Sequence, residues 1–71
     1  MVLDTQKIRR LLRERHISQR QLANMIDATP VAVSQWLCGR NQPNLQPFIK
    51  MADVLKVVDV RELMKKEHYE E

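Results

Sequence analysis

A chain of 71 residues can bury one small core and is expected to hold a single domain, with no effector-binding or self-cleaving module. At 44% hydrophobic and 30% charged residues it is ordinary globular material, and one glycine, three prolines and a surplus of helix formers point to an all-α fold. The net charge of +3 is unevenly spread: Lys7, Arg9, Arg10, Arg13, Arg15 and Arg20 against Asp4 and Glu14 give residues 1–20 a charge of +4, whereas residues 21–58 carry +1 and residues 59–71 carry −2. A basic first portion attracts phosphate. No apolar run approaches ~18 residues and the start lacks the apolar region of a signal peptide, so no membrane association is expected and the cytoplasm is the expected location. Cys38 stands alone, without a disulfide partner or a C-x-x-C spacing for metal, and is read as a structural thiol. No metal or cofactor is expected. No Ser/His/Asp, Cys/His, paired-carboxylate or phosphate-loop arrangement stands out either, so the chain does not read as an enzyme.

In chain order, Asp4 or Thr5 can cap a first helix running to about Arg15, with Ile8, Leu11 and Leu12 as its buried stripe. Most of its arginines fall on other faces, where a solvated surface and a phosphate-binding surface are both open readings. His16-Ile17 ends this helix, and Ile17 drops into the core. Ser18-Gln19-Arg20-Gln21 fits a capping box opening a second helix, on which Leu22, Ala23 and Ile26 share an apolar face. Thr29-Pro30, a capping threonine followed by proline at the first helical position, starts a third. Its buried stripe is expected at Val33, Trp36 and Leu37, which leaves Val31, Ala32, Ser34 and Gln35 facing outward. Gly39 fits the left-handed residue that closes a helix. Asn44 then caps a fourth helix whose Leu45, Phe48, Ala52 and Leu55 keep one face, with Met51 alongside. Val57 is expected to pack inward at the following break. Asp59-Val60-Arg61-Glu62 offers a second capping box for a fifth helix carrying Val60, Leu63 and Met64. Residues 1–66 thus read as one domain and 67–71 as a polar, frayed tail.

The pattern Gln19, Ala23, Val33, Ser34, Trp36, Gly39 and Pro43, followed by a further apolar helix, resembles the helix-turn-helix domain of the Cro and lambdoid-repressor family, from about Ile8 to Leu63. That resemblance implies a lambda-repressor-like fold: a compact bundle of about five short helices containing a helix-turn-helix. Two departures stand out. The family usually has glycine at the corner between the two central helices; here Asp27 occupies it, one of the few other residues that tolerate a left-handed backbone. Many members also pair a buried arginine and glutamate at the positions of Leu12 and Leu37, which points to an apolar contact in place of the ion pair.

The resemblance implies a double-stranded DNA-binding transcriptional regulator of repressor type. The second central helix would lie in the major groove while the first crosses the backbone. Gln19 and Arg20, near a helix N-terminus, and Arg40 and Asn41, just past the reading helix, are the expected phosphate contacts. For Arg40 and Asn41 the competing reading is a merely exposed loop. Thr29, Val31, Ala32, Ser34 and Gln35 are the expected base contacts, with Gln35 suited to adenine and the methyl groups of Val31 and Ala32 to thymine. None of these side chains suits bidentate recognition of guanine, so half-sites containing A·T pairs are expected. Trp36 is read as core. A homodimer on a palindromic operator would place two reading helices ~34 Å apart, and Val58, Val60, Leu63 and Met64 supply the apolar surface expected at its contact. The alternative is an antitoxin or adaptor of the same fold whose main partner is a protein, such as a toxin.

Overall fold

The computed structural model describes residues 2–65; the tail assigned to 67–71 lies outside the described residues. Four α-helices follow one another: α1 Thr5–Glu14, α2 Gln19–Met25, α3 Pro30–Leu37 and α4 Leu45–Val54. A short 3₁₀ turn, Val60–Leu63, comes last. The local start signals act as their chemistry dictates. Asp4 accepts the Lys7 amide at 3.1 Å, and Thr29 accepts that of Ala32 at 3.1 Å with Pro30 behind it. The box opening α2 closes in both directions, Gln21 N–H donating to Ser18 Oγ at 3.0 Å and Ser18 N–H to Gln21 Oε1 at 2.8 Å. Asn44 sits at the N-cap of α4 but makes no side-chain cap bond.

One apolar stripe from each helix meets in a single core: Ile8 and Leu12 from α1, Leu22, Ala23 and Ile26 from α2 and its end, Val33, Trp36 and Leu37 from α3, and Phe48, Met51, Ala52 and Leu55 from α4. Trp36 is only 8% exposed, which removes it from any stacking role. Leu12 and Leu37 are both buried where α1 packs on α3, and among the described residues no charged or polar side chain is buried. An apolar pair therefore stands where an ion pair would require desolvating two charges. Leu45 departs from the expected stripe. It opens α4 one turn ahead of Phe48, beyond the reach of the core, and is 66% exposed.

All four α-helices end alike. Each C-cap is followed by a left-handed residue, His16 (φ 56°), Asp27 (φ 58°), Gly39 (φ 80°) and Lys56 (φ 59°). The next amide reaches back five residues: Ile17 to Leu12 O at 2.9 Å, Ala28 to Ala23 O at 2.9 Å, Arg40 to Gln35 O at 3.0 Å and Val57 to Ala52 O at 2.9 Å. This is the Schellman closure, which satisfies carbonyls that the helix itself leaves unpaired. At three ends the following residue, Ile17, Ala28 or Val57, packs against the core.

The fifth helix is shorter than expected. Asp59 accepts the Arg61 amide at 3.0 Å and pairs with its guanidinium at 3.0 and 3.2 Å, so no box forms with Glu62. The Arg61 hydrogen bonds hold the Asp59 carboxyl below its ordinary pKa. Met64 then turns extended (φ −102°, ψ 143°) and bridges antiparallel to Leu3. Asp4 N–H donates to Leu63 O at 2.9 Å and Lys65 N–H to Val2 O at 2.8 Å. Pairing with the N-terminal segment consumes the groups that would have continued the helix. Leu3 is buried at 3%, and it stands at the position before the Asp4 cap, with Ile8 at the fourth helical position, the spacing of a hydrophobic staple.

Candidate nucleic-acid interface

The corner between α2 and α3 sets the angle at which both helices meet the outside. Asp27 takes the left-handed conformation there, as its short side chain permits, and Lys50 of α4 approaches its carboxylate at 3.7 Å. Ala23, buried at 1%, lies on α2, which packs on α3. The outer sides of the two helices form one shallow open groove lined by Gln19, Arg20, Pro30, Val31, Ser34 and Gln35. It brings the α2 start, with its unpaired amides, beside the front of α3. An extended anionic backbone and an adjacent base edge would meet these two halves respectively.

Not every expected residue stands in that groove. Val31 is 66% exposed and Ser34 is open to solvent. Ala32 is half-buried against the core, so its methyl is partly withdrawn from the outer face. Thr29 spends an oxygen lone pair on the Ala32 amide and keeps its hydroxyl proton as a donor. Arg40 is exposed on the loop beyond α3. Asn41 does not stand free: its Nδ2 donates to Gln35 Oε1 at 2.8 Å.

A second shallow surface abuts the first at the start of α2, lined by Arg9, Leu12, Arg13, Ile17, Ser18 and Gln19. Arg9 and Arg13 lie four apart on α1 and line the same surface as Gln19, a juxtaposition missing from the expected phosphate set. Their i, i+4 spacing within the basic segment was its signal. Arg9 has a further role, because its Nη2 donates to Leu37 O at 3.0 Å, across 28 residues of sequence. A cation thereby ties α1 to the C-terminal turn of α3, where orphaned carbonyls and the helix dipole favour positive charge. Cys38 caps this end of α3 and is exposed, so the thiol is not a core element.

The surface expected to pair two copies is changed by the fold. Leu63 is wholly buried, at 0% exposure, and must be withdrawn from that set: the bridge to Leu3 turns its side chain into the monomer core. Val60 and Met64 are partly buried against that core, and Val58 is fully exposed. Further apolar surface appears at Leu45 and, at 47% exposure, Ile49, one turn apart on α4.

The sequence model of the helix-turn-helix family matches residues 8–63. The chain belongs to this family. The crystal structure of the P22 c2 repressor protein in complex with synthetic operator 9T in the presence of Tl+ superposes with a TM-score of 0.80 at 26% identity, covering 92% of this chain and 97% of that one. No curated protein sequence matches the chain. The kinship with Cro and lambdoid repressors drawn from Gln19, Ala23, Val33, Ser34, Trp36 and Gly39 therefore holds, and the helix-turn-helix has a repressor-like setting. Among the described residues no helix is long and apolar enough to cross a membrane.

Proposed function

We propose that the chain is a non-enzymatic, sequence-specific regulator of transcription that binds double-stranded DNA in the cytoplasm, with residues 1–66 acting as one repressor-like domain. The observation that carries this reading is the single groove in which Gln19 and Arg20 adjoin Val31, Ser34 and Gln35. Phosphate contacts fix register and base contacts give sequence, and this groove offers residues for both side by side. α3 enters the major groove, and α2 crosses the backbone with Gln19 and Arg20 on phosphate. Arg40 takes a phosphate beyond α3, and Arg9 and Arg13 supplement the field at the start of α2. Val31 offers methyl groups to thymine and Gln35 an amide to adenine, which favours A·T pairs at the bases facing residues 31–35.

One such module covers few base pairs, and a homodimer on a palindrome supplies the rest. Val58, with the exposed parts of Val60 and Met64, supplies apolar area for that pairing. The P22 c2 repressor, described in complex with a synthetic operator, supports the DNA reading at the level of fold and family.

Selection of bound sequences from a random duplex pool at two salt concentrations tests it. The expected product is a palindrome with half-sites one turn apart, A·T-containing opposite α3, and an affinity that falls steeply with salt. Weak binding without a selected sequence would reject the proposal and favour a protein partner, such as a toxin, for the exposed Val31 face.

A further inference from the structure

Asn41 was expected on phosphate, yet in the fold its side chain is engaged with the residue best suited to read a base. Three bonds link the loop beyond α3 to Gln35. Arg40 N–H and Asn41 N–H both point to Gln35 O, at 3.0 and 3.5 Å, and Asn41 Nδ2 donates to Gln35 Oε1 at 2.8 Å. Gly39, at φ 80°, folds the chain back far enough for this to happen. Gln35 is half-buried and lines the groove, whereas Asn41 is exposed beside it.

Resting on the DNA-binding reading of this groove, we infer that Asn41 is a positioning residue that holds the Gln35 amide against the loop, with Oε1 towards Asn41 in the folded chain, and thereby tunes the base preference opposite α3. A free glutamine amide presents its donor and acceptor in either order by a half-turn of its last torsion. With Oε1 held by Asn41 Nδ2, the oxygen lies towards the loop and Nε2 carries its two protons on the open side. The oxygen keeps a second lone pair. Donor and acceptor are then offered side by side, matching adenine N7, which accepts, and N6, which donates. Guanine presents two acceptors, N7 and O6, and sets O6 against Gln35 Oε1. Fixing the amide before binding also removes the rotamer cost of fixing it on the DNA.

The test uses the full chain and the duplex it selects, with all four bases substituted at the pair where Gln35→Ala abolishes discrimination. Asn41→Ala is expected to lower the adenine preference at that pair by about threefold to tenfold, a fraction of what one bidentate contact supplies, and to leave other positions unchanged. Asn41→Asp can only accept, so it turns Gln35 Nε2 to the loop, removes the adenine preference and raises the ranking of cytosine, whose N4 donates. Adding Asn41→Ala to Gln35→Ala should change nothing further at this pair. In the free protein, the Gln35 side-chain amide resonances should shift in Asn41→Ala while the core spectrum is unchanged.

A uniform loss of affinity with a salt slope shallower by about one would show a phosphate contact and overturn the inference. Unmoved Gln35 amide resonances in Asn41→Ala would overturn it without reference to DNA. If wild-type protein selects no sequence, the operator reading falls and this inference falls with it. A selected operator whose base preferences survive Asn41→Ala defeats this inference alone.

Discussion

The end of α3 and the ends of the other three α-helices use one backbone motif for opposite purposes. After α1, α2 and α4 the residue following the left-handed position is Ile17, Ala28 or Val57, and each turns inward to cover the core. After α3 it is Arg40, exposed, followed by Asn41, which reaches back to Gln35. The inward ends are anchored by apolar burial, which offsets the strain of holding His16, Asp27 and Lys56 at positive φ, about 1–2 kcal/mol per residue. The outward end lacks that anchor, and there the left-handed position is glycine. The left-handed position there costs little backbone strain, and the exposed Arg40 and Asn41 are displayed ahead of the next buried residue, Pro43.

Four substitutions bear on this contrast, the first by removing an inward anchor. Ile17→Ala should destabilise the fold by about 1–3 kcal/mol, less than for a fully buried isoleucine because the side chain is half-exposed. Urea unfolding followed by circular dichroism measures it. Gly39→Val places a β-branched residue at φ 80°, where nothing lies within 4 Å of the added Cβ, so the loss of about 1–2 kcal/mol comes from backbone strain alone. Because the same strain displaces Arg40 and Asn41, operator affinity in a mobility-shift titration should fall more than stability does. Lys56→Gly relieves a positive φ at an anchored end and should raise stability by roughly 0.5–1 kcal/mol, read as a higher melting temperature. Arg40→Ala should change stability by less than about 0.5 kcal/mol, since no anchor is lost. Its effect belongs to binding: a weaker affinity on every duplex and a salt slope shallower by about one. A large stability loss in Arg40→Ala would erase the distinction between the two kinds of end.

The corner and α3 could be read from the chain because their signals are local. Ser18 and Gln21, Thr29 and Pro30, and Asp27 each act on backbone within four residues of themselves. The apolar stripes of α1 to α3 follow from helical period alone, which also separates Trp36 from Val31. Much of the groove was legible for the same reason: Gln19, Arg20, Val31, Ser34 and Gln35 take their facing from helix phase.

Contacts between distant segments were decided only by the folded chain. The pairing of Leu3 with Met64 shortened the last helix and buried Leu63, and no periodicity within residues 59–64 could announce a partner some sixty residues away. Arg9 reads as one more solvated arginine until α1 lies across α3 and its guanidinium finds Leu37 O. Leu45 looks like core by spacing and is exposed because the core ends before it. The engagement of Asn41 with Gln35 depends likewise on a loop folding back over its own helix. Sequence by itself determined where helices start, which faces they bury and where the backbone must turn left-handed, since those are properties of a few neighbouring residues. Tertiary structure decided which polar groups meet and which apolar groups remain outside, since that depends on where the other helices lie.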